Sequence, residues 1–372
     1  MEQTLNLTTT LTQFSEKHIK PFVLDWDKEG AFPKELFCQL AEMGLMGMLT
    51  PPEYGGLALN YEAYADAIAT ISQYCGSVGL SVAAHNSLVS QHIFLFGSEE
   101  QKLKYLPKLA TGEYLGAWAL TEPTSGSDAS RTQCTATRNG DYWKINGSKI
   151  FITHGALANV TVVMARTGSG KNDITAFLVE KETKGFIAGK PLEKLGVKAC
   201  ETVELFFDDC IIPDENQVGN IGEGFKQAMY ILDGGRISIA ALSLGIAKGA
   251  YTVALNYAKE REQFGKPIVE FQATGFKLSD MATQLYAAEL MLKDVCRKKD
   301  NGQGISKESA MCKLYISELA VNIANDAVQI LGGYGYMQDY LVEKHYRDAK
   351  ICTIGEGTSE IQKLIILREL IK

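Results

Sequence analysis

The sequence predicts an α+β fold in which a strand-rich domain is inserted between two helical regions. Residues 1–115 and 225–372 carry apolar residues at the three- and four-residue spacing of amphipathic helices. Residues 116–224 instead contain short runs dominated by β-branched and aromatic residues, which favour strands. We therefore expect an N-terminal helical domain, a middle β domain and a C-terminal antiparallel helix bundle.

Composition and charge narrow the classes of function. At 372 residues, with 46% hydrophobic and 22% charged residues, the chain suits two or three packed globular units. The net charge of −7 and the scattered Lys and Arg residues leave no basic stripe for a phosphate backbone, so we expect no nucleic-acid partner. No apolar run indicates a membrane span. The N-terminus lacks the basic head and apolar stretch of a secretory signal, which predicts a cytoplasmic protein.

The eight cysteines and five histidines do not have the spacing of a metal site. No C-x-x-C pair occurs, and no histidine lies at close ligand spacing to another histidine or to a cysteine. We therefore expect no bound metal, and reduced thiols that are mostly small core residues.

Two short sequences in the β domain are typical of tight turns. Asn139-Gly140 predicts a hairpin, and Asn146-Gly147 predicts a second turn a few residues later. Both pairs are flanked by residues with strong strand preference, so each turn is expected to join two antiparallel strands.

Two glycine-containing segments look like nucleotide-binding loops but do not match those motifs. TGSGKN, from Thr167 to Asn172, has Ala165 where a phosphate loop needs glycine and Asn172 where it needs Ser or Thr. We interpret it as a hairpin loop. GGYGYM, at 332–337, follows a helical pattern rather than a strand, so it is not the fingerprint of a nicotinamide-dinucleotide site.

One carboxylate stands between two glycines near the C-terminus, in TIGEGTSEIQ. Gly355 and Gly357 allow the backbone to present Glu356 to a ligand, or they form an ordinary turn in which the carboxylate complements the next helix. Residues 359–362, SEIQ, match a capping box, which predicts that this helix begins at about Glu360.

Three further segments each allow two interpretations. LTEPTSGSD, at 120–128, is either a loop between domains or a polar edge for a cofactor. Arg236, which follows Gly234 and Gly235, is either a surface residue at a helix start or a ligand for a phosphate group. Arg261 in EREQFG has the same two interpretations.

In this order, the segments together resemble the acyl-CoA dehydrogenase family, over about Leu5 to Leu370. The resemblance is carried by LTEPTSGSD, INGSKIFITHG, DGGRISIAALSLGIAKGA, EREQFGKPIVEFQ, QILGGYGY and RDAKICTIGEGTSEIQ, and it is strongest to the short-chain members. The family fold has an N-terminal helical domain, a middle β-barrel-like domain and a C-terminal four-helix bundle, with FAD between the domains.

The resemblance implies an FAD site shared between two subunits of a homotetramer, a dimer of dimers. It places five residues at the flavin: Trp118, Leu120, Thr121, Phe151 and Thr153. It places Ser127 at the pyrophosphate or the CoA side, and Thr358 and Glu360 also match positions that contact FAD. The residues that it places at the adenine diphosphate half from the neighbouring subunit are Arg261, Gln263, Phe264, Gln272, Gln329 and Gly333. Asp233 and Arg236 match positions that contact CoA.

By the same resemblance, Glu356 is the base that removes the α-proton of an acyl-CoA thioester. The β-hydrogen then leaves as hydride to flavin N5, and electron transfer flavoprotein accepts the electrons. An oxyanion hole at the thioester carbonyl is implied, formed by the base's own backbone N–H and a ribityl hydroxyl. A carboxylate near a helix N-terminus is a weak base in water, so we expect its pKa to rise when the acyl chain expels water from the pocket.

The chain departs from the family pattern at Gly355, where most short- and medium-chain relatives have a Tyr that walls the acyl pocket. Isovaleryl-CoA dehydrogenases also have Gly there, but their base precedes the residue matching Arg236, a position that is Gly235 in this chain. Glu356 is therefore the only candidate base. We hypothesise a wider pocket beside Gly355 and Gly357 that admits branched or bulky short acyl groups, in fatty acid β-oxidation or branched-chain amino acid catabolism.

Two alternatives remain at this stage. An oxygen-using acyl-CoA oxidase is disfavoured because oxidases of this superfamily usually carry a further C-terminal helical domain. A catalytically silent interaction protein is disfavoured because Glu356, Arg236, Arg261 and Thr153 occur together. The resemblance also places Leu57 and Leu59 in a surface region where relatives dock their electron acceptor.

Overall fold

The structure, a computed structural model, describes residues 2–170 and 173–372. Its N-terminal part is helical, and a π-helical segment, His85–Ser90, continues α5 into α6. Side-chain caps fix two of the helix starts: Asn60 accepts a hydrogen bond from the Ala63 N–H, and Ser98 forms a capping box with Gln101. The helices are α1 (Glu2–His18), α2 (Val23–Glu29), α3 (Lys34–Glu42), α4 (Tyr61–Ser72), α5 (Gly76–Ala84), α6 (Gln91–Phe96) and α7 (Glu99–Ala110).

The middle part is one mixed sheet of eight strands. Its order is β6-β7-β3-β2-β4-β5-β8, and β1 pairs in parallel with β4. The strands are β1 (Gly116–Ala119), β2 (Thr135–Asn139), β3 (Tyr142–Thr153), β4 (Val160–Arg166), β5 (Ile174–Glu180), β6 (Phe186–Ala188), β7 (Thr202–Pro213) and β8 (Gln217–Val218).

Strand β4 is buried on both faces, which explains its unbroken apolar sequence. Val163 faces a core cluster that contains Trp143 of β3. Val162 faces the opposite cluster, which contains Leu106 of α7 and Ala228 of the first C-terminal helix. One face of the sheet therefore packs against residues of both helical regions.

The C-terminal part is a bundle of long helices. Within it a short antiparallel ribbon, β9 (Glu262–Gln263) and β10 (Lys266–Pro267), links the first two helices. Helix α8 packs against α9, α10 and α11 of the bundle and against α4 and α5 of the N-terminal region. The helices are α8 (Gly224–Glu260), α9 (Gln272–Asp300), α10 (Ser306–Leu331), α11 (Val342–Cys352) and α12 (Ser359–Leu370).

Helix α8 is the central element of the fold. Among the described residues it is the one helix that is long and apolar enough, by length and composition, to cross a membrane. However, 78% of its apolar window is buried inside the protein, as in the core helix of a bundle. The arrangement of helical domain, β domain and helical bundle confirms the fold class expected from the sequence.

The structure confirms one of the two turns expected in the β domain. Asn139 and Tyr142 pair across a hairpin between β2 and β3, and Gly140 has the positive φ of +61° that such a turn requires. The second expectation was wrong, because Asn146 and Gly147 lie inside β3. A shift in the register against β7 accommodates them there, so this pair marks an irregularity within the strand rather than its end.

The TGSGKN segment joins β4 to β5, which are antiparallel. That pairing agrees with a hairpin loop, although Lys171 and Asn172 lie outside the described residues. Of the eight cysteines, seven are buried and Cys38 is exposed, and all are free thiols, as expected.

Candidate active site

Glu356 lies in the turn between α11 and α12, and its own backbone is in the left-handed region. Its φ is +53°, which is uncommon for a residue with a side chain, and Gly357 follows with a φ of +99°. Gly355, in contrast, does not have a positive φ. Of the two flanking glycines, only Gly357 is required by backbone conformation, so Gly355 matters because it lacks a side chain.

The carboxylate of Glu356 points across to α8. A Cβ atom added at Gly235 would lie 1.9 Å from Oε2 of Glu356 and 3.2 Å from a methyl carbon of Leu88. Oε2 is fully buried and accepts no hydrogen bond from the described residues. Burial raises the pKa of Glu356 to about 7, and the positive charges of Lys313 and Arg236 oppose that rise.

Two buried side chains hold the backbone of this turn. Lys313 Nζ of α10 donates to the Gly357 carbonyl at 2.7 Å. The Gln362 amide donates to the same carbonyl at 2.8 Å and to the Glu356 carbonyl at 3.3 Å. Both side chains are completely buried, so the turn is fixed from the protein interior.

The capping box expected at residues 359–362 was wrong by one residue. Thr358 is the N-cap of α12 and its hydroxyl accepts from the Ile361 N–H. Ser359 is inside the helix, and its hydroxyl donates to the Glu318 carboxylate. Gln362 does not complete the box, because the Ser359 N–H donates to the Thr353 carbonyl at 3.0 Å and the Gln362 amide NH2 is directed at the turn. Glu360, matched by resemblance to the cofactor, is exposed in the first turn of α12.

An apolar cluster lies beside the Glu356 carboxylate. Ala84, Leu88 and Ile231 are buried together, with Phe96 and Trp118 packed on them. Leu88 belongs to the π-helical segment, a type of irregularity that is frequent at functional sites. The structure therefore brings Trp118, expected at the flavin edge, to the same cluster that borders Gly235 and Glu356.

Trp118 is fixed by a chain of hydrogen bonds that leads to α8. Its indole N–H donates to Nδ1 of His92 at 3.1 Å, so His92 must be a neutral acceptor at that nitrogen. The other ring nitrogen of His92 then donates to Gln227 Oε1 at 3.1 Å. Burial lowers the pKa of His92 to about 4, which keeps the ring neutral at ordinary pH.

The other residues expected at the flavin edge lie where β1 meets β3. The Ile150 N–H donates to the Thr121 carbonyl at 2.9 Å, which joins the segment after β1 to β3. The register of β3 is irregular between 149 and 152, and within that bulge Phe151 has a φ of +61° and is 64% exposed. Thr153 follows at the end of the strand, half-buried.

The segment that contains Leu120 and Thr121 is anchored by a buried ion pair. Lys149 Nζ donates to Glu122 at 2.7 Å and to the Leu120 carbonyl at 3.0 Å. Glu122 also accepts from the backbone N–H groups of Gln133 and Cys134. Beyond this anchor the loop opens to solvent, and Ser127 within it is exposed.

Asp233 and Arg236, matched by resemblance to CoA contacts, form an ion pair on α8. Arg236 is only 4% exposed and lies within α8, so it is neither a surface residue nor at a helix start. Asp233 also accepts from the Ser306 hydroxyl at 2.6 Å. Asp233 and Arg236 stand on either side of Gly235 in α8, and the guanidinium of Arg236 contributes positive charge near Glu356.

The six residues expected at the adenine diphosphate half lie at the opposite end of α8. At about 1.5 Å per residue, the distance along the helix from Gly235 to Glu260 is roughly 38 Å. Three of them, Arg261, Gln263 and Gly333, line a surface pocket of about 520 Å³. Phe264 is 94% exposed, and Gln272 and Gln329 are also exposed. One chain does not bring these six residues to Glu356.

Family models match almost the entire chain. Those of the acyl-CoA dehydrogenase N-terminal, middle and C-terminal domains match residues 1–113, 117–210 and 222–371. The chain belongs to the acyl-CoA dehydrogenase family. It is therefore an oxidoreductase of a family that depends on FAD.

Relatives of known name share more than two fifths of their residues with this acyl-CoA dehydrogenase. The probable acyl-CoA dehydrogenase YngJ of Bacillus subtilis is 47% identical, over 96% of this chain and 95% of its own. The short-chain specific acyl-CoA dehydrogenase of Clostridium acetobutylicum is 44% identical, over 95% and 94%. The 3-(aryl)acrylate reductase of Clostridium sporogenes is 41% identical, over 96% of each chain.

Solved structures of the family superpose on this chain over its whole length. Butyryl-CoA dehydrogenase from Megasphaera elsdenii has a TM-score of 0.98 at 40% identity, covering 100% of this chain and 99% of its own. A chain from a study of the electron transferring flavoprotein of Acidaminococcus fermentans has a TM-score of 0.98 at 42% identity, covering 100% and 98%. The prolyl acyl carrier protein oxidase AnaB has a TM-score of 0.96 at 32% identity, covering 100% and 99%.

The residues present fit a flavin. Phe151, turned out of β3 by the bulge, offers an exposed aromatic surface on which a flat ring can stack. Thr121 is joined to Ile150, the neighbour of Phe151, by a backbone hydrogen bond, and Thr153 follows two residues later at the end of β3. The exposed set at the far end of α8 fits the polar remainder of the cofactor, with the Arg261 guanidinium stacked 5.8 Å from the Tyr334 ring centre.

Four residues that shape this site were not expected to do so from the sequence: Lys313, His92, Lys149 and Gln362, the last of which was expected to cap α12. Only Lys313 had a clear signal. It lies three residues after Ala310 and seven before Ala320, a spacing that puts all three on the buried face of α10. A lysine there predicts a buried acceptor, but the acceptor, a backbone carbonyl of residue 357, is not visible in the sequence.

Proposed function

We propose that this acyl-CoA dehydrogenase removes two hydrogens from a short-chain acyl-CoA, giving the trans-2-enoyl-CoA, with Glu356 as the base. The observation that carries the proposal is the buried, unpartnered Oε2 of Glu356, whose pKa of about 7 suits proton transfer near neutral pH. The short-chain assignment is supported by the names of relatives at 43–44% identity and of the Megasphaera elsdenii neighbour.

The residues of the turn have separate roles. The α-proton moves to Oε2 of Glu356, and the negative charge that develops on the thioester oxygen needs donors. The backbone N–H of Glu356 makes no hydrogen bond to the described residues, so it is available as one of them. Phe151 and Thr153 would hold the flavin ring of FAD, which would supply the acceptor for the hydride from the β-carbon.

The protein itself supplies part of the desolvation that the base requires. The sequence suggested that the acyl chain would raise the pKa of Glu356 by expelling water. In the structure the apolar cluster around Leu88 and the backbone of α8 at Gly235 already shield Oε2 before any substrate is present. Substrate binding then needs only to exclude water from the part of the carboxylate that the Leu88 cluster and α8 do not cover.

We propose that the acyl pocket accepts branched or bulky short chains. A Cβ at Gly355 would make only ordinary van der Waals contact with Ile351, at 3.5 Å or more, so a side chain could be placed here and glycine leaves that room free. The Clostridium sporogenes relative is named for an aryl-substituted acrylate, a substrate with a bulky group. The panel that tests this compares kcat/KM for butyryl-, isobutyryl-, 2-methylbutyryl-, isovaleryl- and 3-phenylpropanoyl-CoA. Exclusive use of the straight chain would contradict the proposal.

We also propose that the FAD site is shared between subunits of a homotetramer. The support is the separation of roughly 38 Å along α8 between the two halves of the site, which one FAD molecule cannot bridge. Sedimentation velocity of the flavin-loaded protein tests it, and a stable monomer that retains FAD would contradict it.

Electron transfer flavoprotein is the proposed acceptor, and molecular oxygen is the alternative. The Acidaminococcus fermentans neighbour comes from a study of that flavoprotein, and Leu57, in the surface region noted in the sequence, is 47% exposed. An oxidase does not require an extra C-terminal domain, because AnaB, which is named an oxidase, matches 100% of this chain over 99% of its own.

The experiment begins with the flavin content of the purified protein. We expect yellow protein that butyryl-CoA bleaches anaerobically, and whose reduced form is reoxidised faster by electron transfer flavoprotein than by air. Fast reoxidation by air with release of hydrogen peroxide would indicate an oxidase. Colourless protein that takes up no FAD would indicate the silent interaction protein. Glu356→Gln should stay yellow and lose the bleaching, and bleaching at the wild-type rate would refute its role as the base.

A further inference from the structure

Lys313 is a buried cation next to the proposed base. It is completely buried in α10 and has no carboxylate within 4.0 Å among the described residues. Its one hydrogen bond is the donation from Nζ to the Gly357 carbonyl at 2.7 Å. A lysine is rarely buried without an ion pair, since the charge loses its hydration, so this position calls for a functional explanation.

The acceptor of that hydrogen bond is part of the strained turn that carries Glu356. Glu356 and Gly357 both have positive φ, a conformation that persists for a non-glycine residue only where its surroundings enforce it. Lys313 and Gln362 are the two side chains that hold the carbonyls of this turn. Lys313 donates one hydrogen bond and carries a charge, whereas Gln362 donates hydrogen bonds and carries none.

Three titratable groups face the Glu356 carboxylate, one from each helix packed around it. Lys313 comes from α10, Arg236 from α8 and Tyr64 from α4. Arg236 is already paired with Asp233, and the Tyr64 hydroxyl lies 2.9 Å from Ser238 Oγ. Lys313 is the cation near Glu356 that has no carboxylate partner of its own.

The groups around Lys313 itself leave it protonated at neutral pH. Burial lowers the pKa of Lys313 to about 8, and the charges of Glu356 and Glu318 oppose that fall, whereas Arg236 adds to it. Burial also raises the pKa of the Cys352 thiol to about 11, so this thiol is neutral. Glu318 accepts a hydrogen bond from Ser359.

We propose that Lys313 is a positioning residue for the base: it locks the Glu356-Gly357 turn through one hydrogen bond and supplies the positive charge that favours the ionised carboxylate. The inference rests on the proposed function of Glu356 as the base. Lys313 thus both holds the turn and supplies a positive charge, whereas the neighbouring Gln362 only holds the turn. A purely structural lysine would affect stability and cofactor content but not the pH at which the base ionises.

The test measures the rate of anaerobic flavin reduction by butyryl-CoA between pH 5 and pH 9. In the wild type we expect the rate to rise with pH, with a midpoint near 7. Lys313→Gln keeps a donor and removes the charge, so its midpoint should move up by roughly one pH unit. Lys313→Met, whose apolar side chain suits the buried position, should show the same shift together with a lower maximal rate.

Matched controls separate charge from hydrogen bonding. Gln362→Met removes the other donor to Gly357 and should lower the maximal rate without moving the midpoint. Lys313→Arg keeps the charge and should retain the wild-type midpoint. A midpoint in Lys313→Gln or Lys313→Met that equals the wild-type value would overturn the inference, and so would a shift of equal size in Gln362→Met.

A second measurement does not depend on turnover. The Tm of Glu356→Gln is compared with that of the wild type across the pH range. The same comparison is then made in the Lys313→Gln background. The pH at which this difference levels off should be higher without the lysine. If no acyl-CoA reduces the wild-type flavin, the proposed function fails, and the Tm measurement still tests the coupling. If the wild type is reduced and neither midpoint moves, only the role of Lys313 fails.

Discussion

The carboxylate of Glu356 occupies the space that a side chain at Gly235 would fill. A Cβ atom at residue 235 would come within 1.9 Å of Oε2 and 3.0 Å of the carboxyl carbon. Resemblance to the family identifies these as the two alternative positions for the base, and in this fold they face each other across one site. Glycine on α8 is therefore what makes room for a base carried by the turn between α11 and α12.

We predict that Gly235→Ala displaces the Glu356 carboxylate and lowers the rate of flavin reduction by butyryl-CoA on the order of 100-fold, because a shift near 1 Å spoils the alignment for proton transfer. Gly234→Ala is the control. A Cβ there would approach only the Tyr61 hydroxyl, at 3.1 Å, and both changes favour the helix equally. Equal rates in the two variants would contradict the prediction.

The raised pKa of Glu356 predicts a specific dependence of stability on pH. The pKa of this carboxyl group is about 7 in the folded protein and 4.5 in the unfolded chain. Below pH 4.5 the group is protonated in both states. Between pH 4.5 and pH 7 it ionises mainly in the unfolded chain, so the free energy of unfolding falls as the pH rises through this range. Glu356→Gln should therefore be more stable than the wild type by about 3 kcal/mol at pH 8 and no more stable at pH 4.

The measurement is the difference in Tm between the two proteins across this range, because every other group titrates in both. A difference that does not change between pH 4 and pH 8 would show that the folded protein does not raise the pKa of Glu356.

We predict that Gly355→Tyr narrows the acyl pocket. The backbone at 355 does not have a positive φ, and a Cβ there would make only ordinary contact with Ile351, so a side chain can begin there without backbone strain. The ratio of kcat/KM for isobutyryl-CoA to that for butyryl-CoA should fall at least roughly tenfold, as expected when a pocket loses room for one branch. Gly355→Ala should give an intermediate ratio, and an unchanged ratio in both would place the specificity elsewhere.

The buried pair of Lys149 and Glu122 should be essential for flavin retention. Lys149→Met leaves the Glu122 carboxylate buried without its cation and releases the Leu120 carbonyl, which should cost about 3–5 kcal/mol. We expect a lower Tm and loss of FAD on gel filtration.

Lys144→Met is the matched control on the same strand. The ion pair of Lys144 with Asp209, at 3.4 Å, is exposed, so its loss should cost less than about 1 kcal/mol. Similar losses of Tm and FAD in both variants would show that burial of the pair is not the cause.

Much of the fold was predictable because it depends on local patterns. The change from helical spacing to β-branched runs and back marks three regions, and Gly140 supplies the φ that its hairpin needs. The errors were also local in origin. Asn146-Gly147 has turn chemistry, but pairing with β7 on one side and β2 on the other keeps it in a strand. Thr358, Ser359 and Gln362 are all suited to capping, and contacts with α10 and the turn decided which one caps α12.

By itself the sequence determined the order of domains, and its resemblance to the family identified Glu356 as the candidate base, since periodicity, turn residues and motifs are properties of neighbouring residues. Only the tertiary structure decided what surrounds that carboxylate: Gly235 of α8, Lys313 of α10 and the cluster at Leu88 are far from it in sequence. The physical reason is that burial and Coulomb interactions depend on distance in space. The pKa of Glu356, and with it the strength of the base, is therefore set by helices that the motif does not contain.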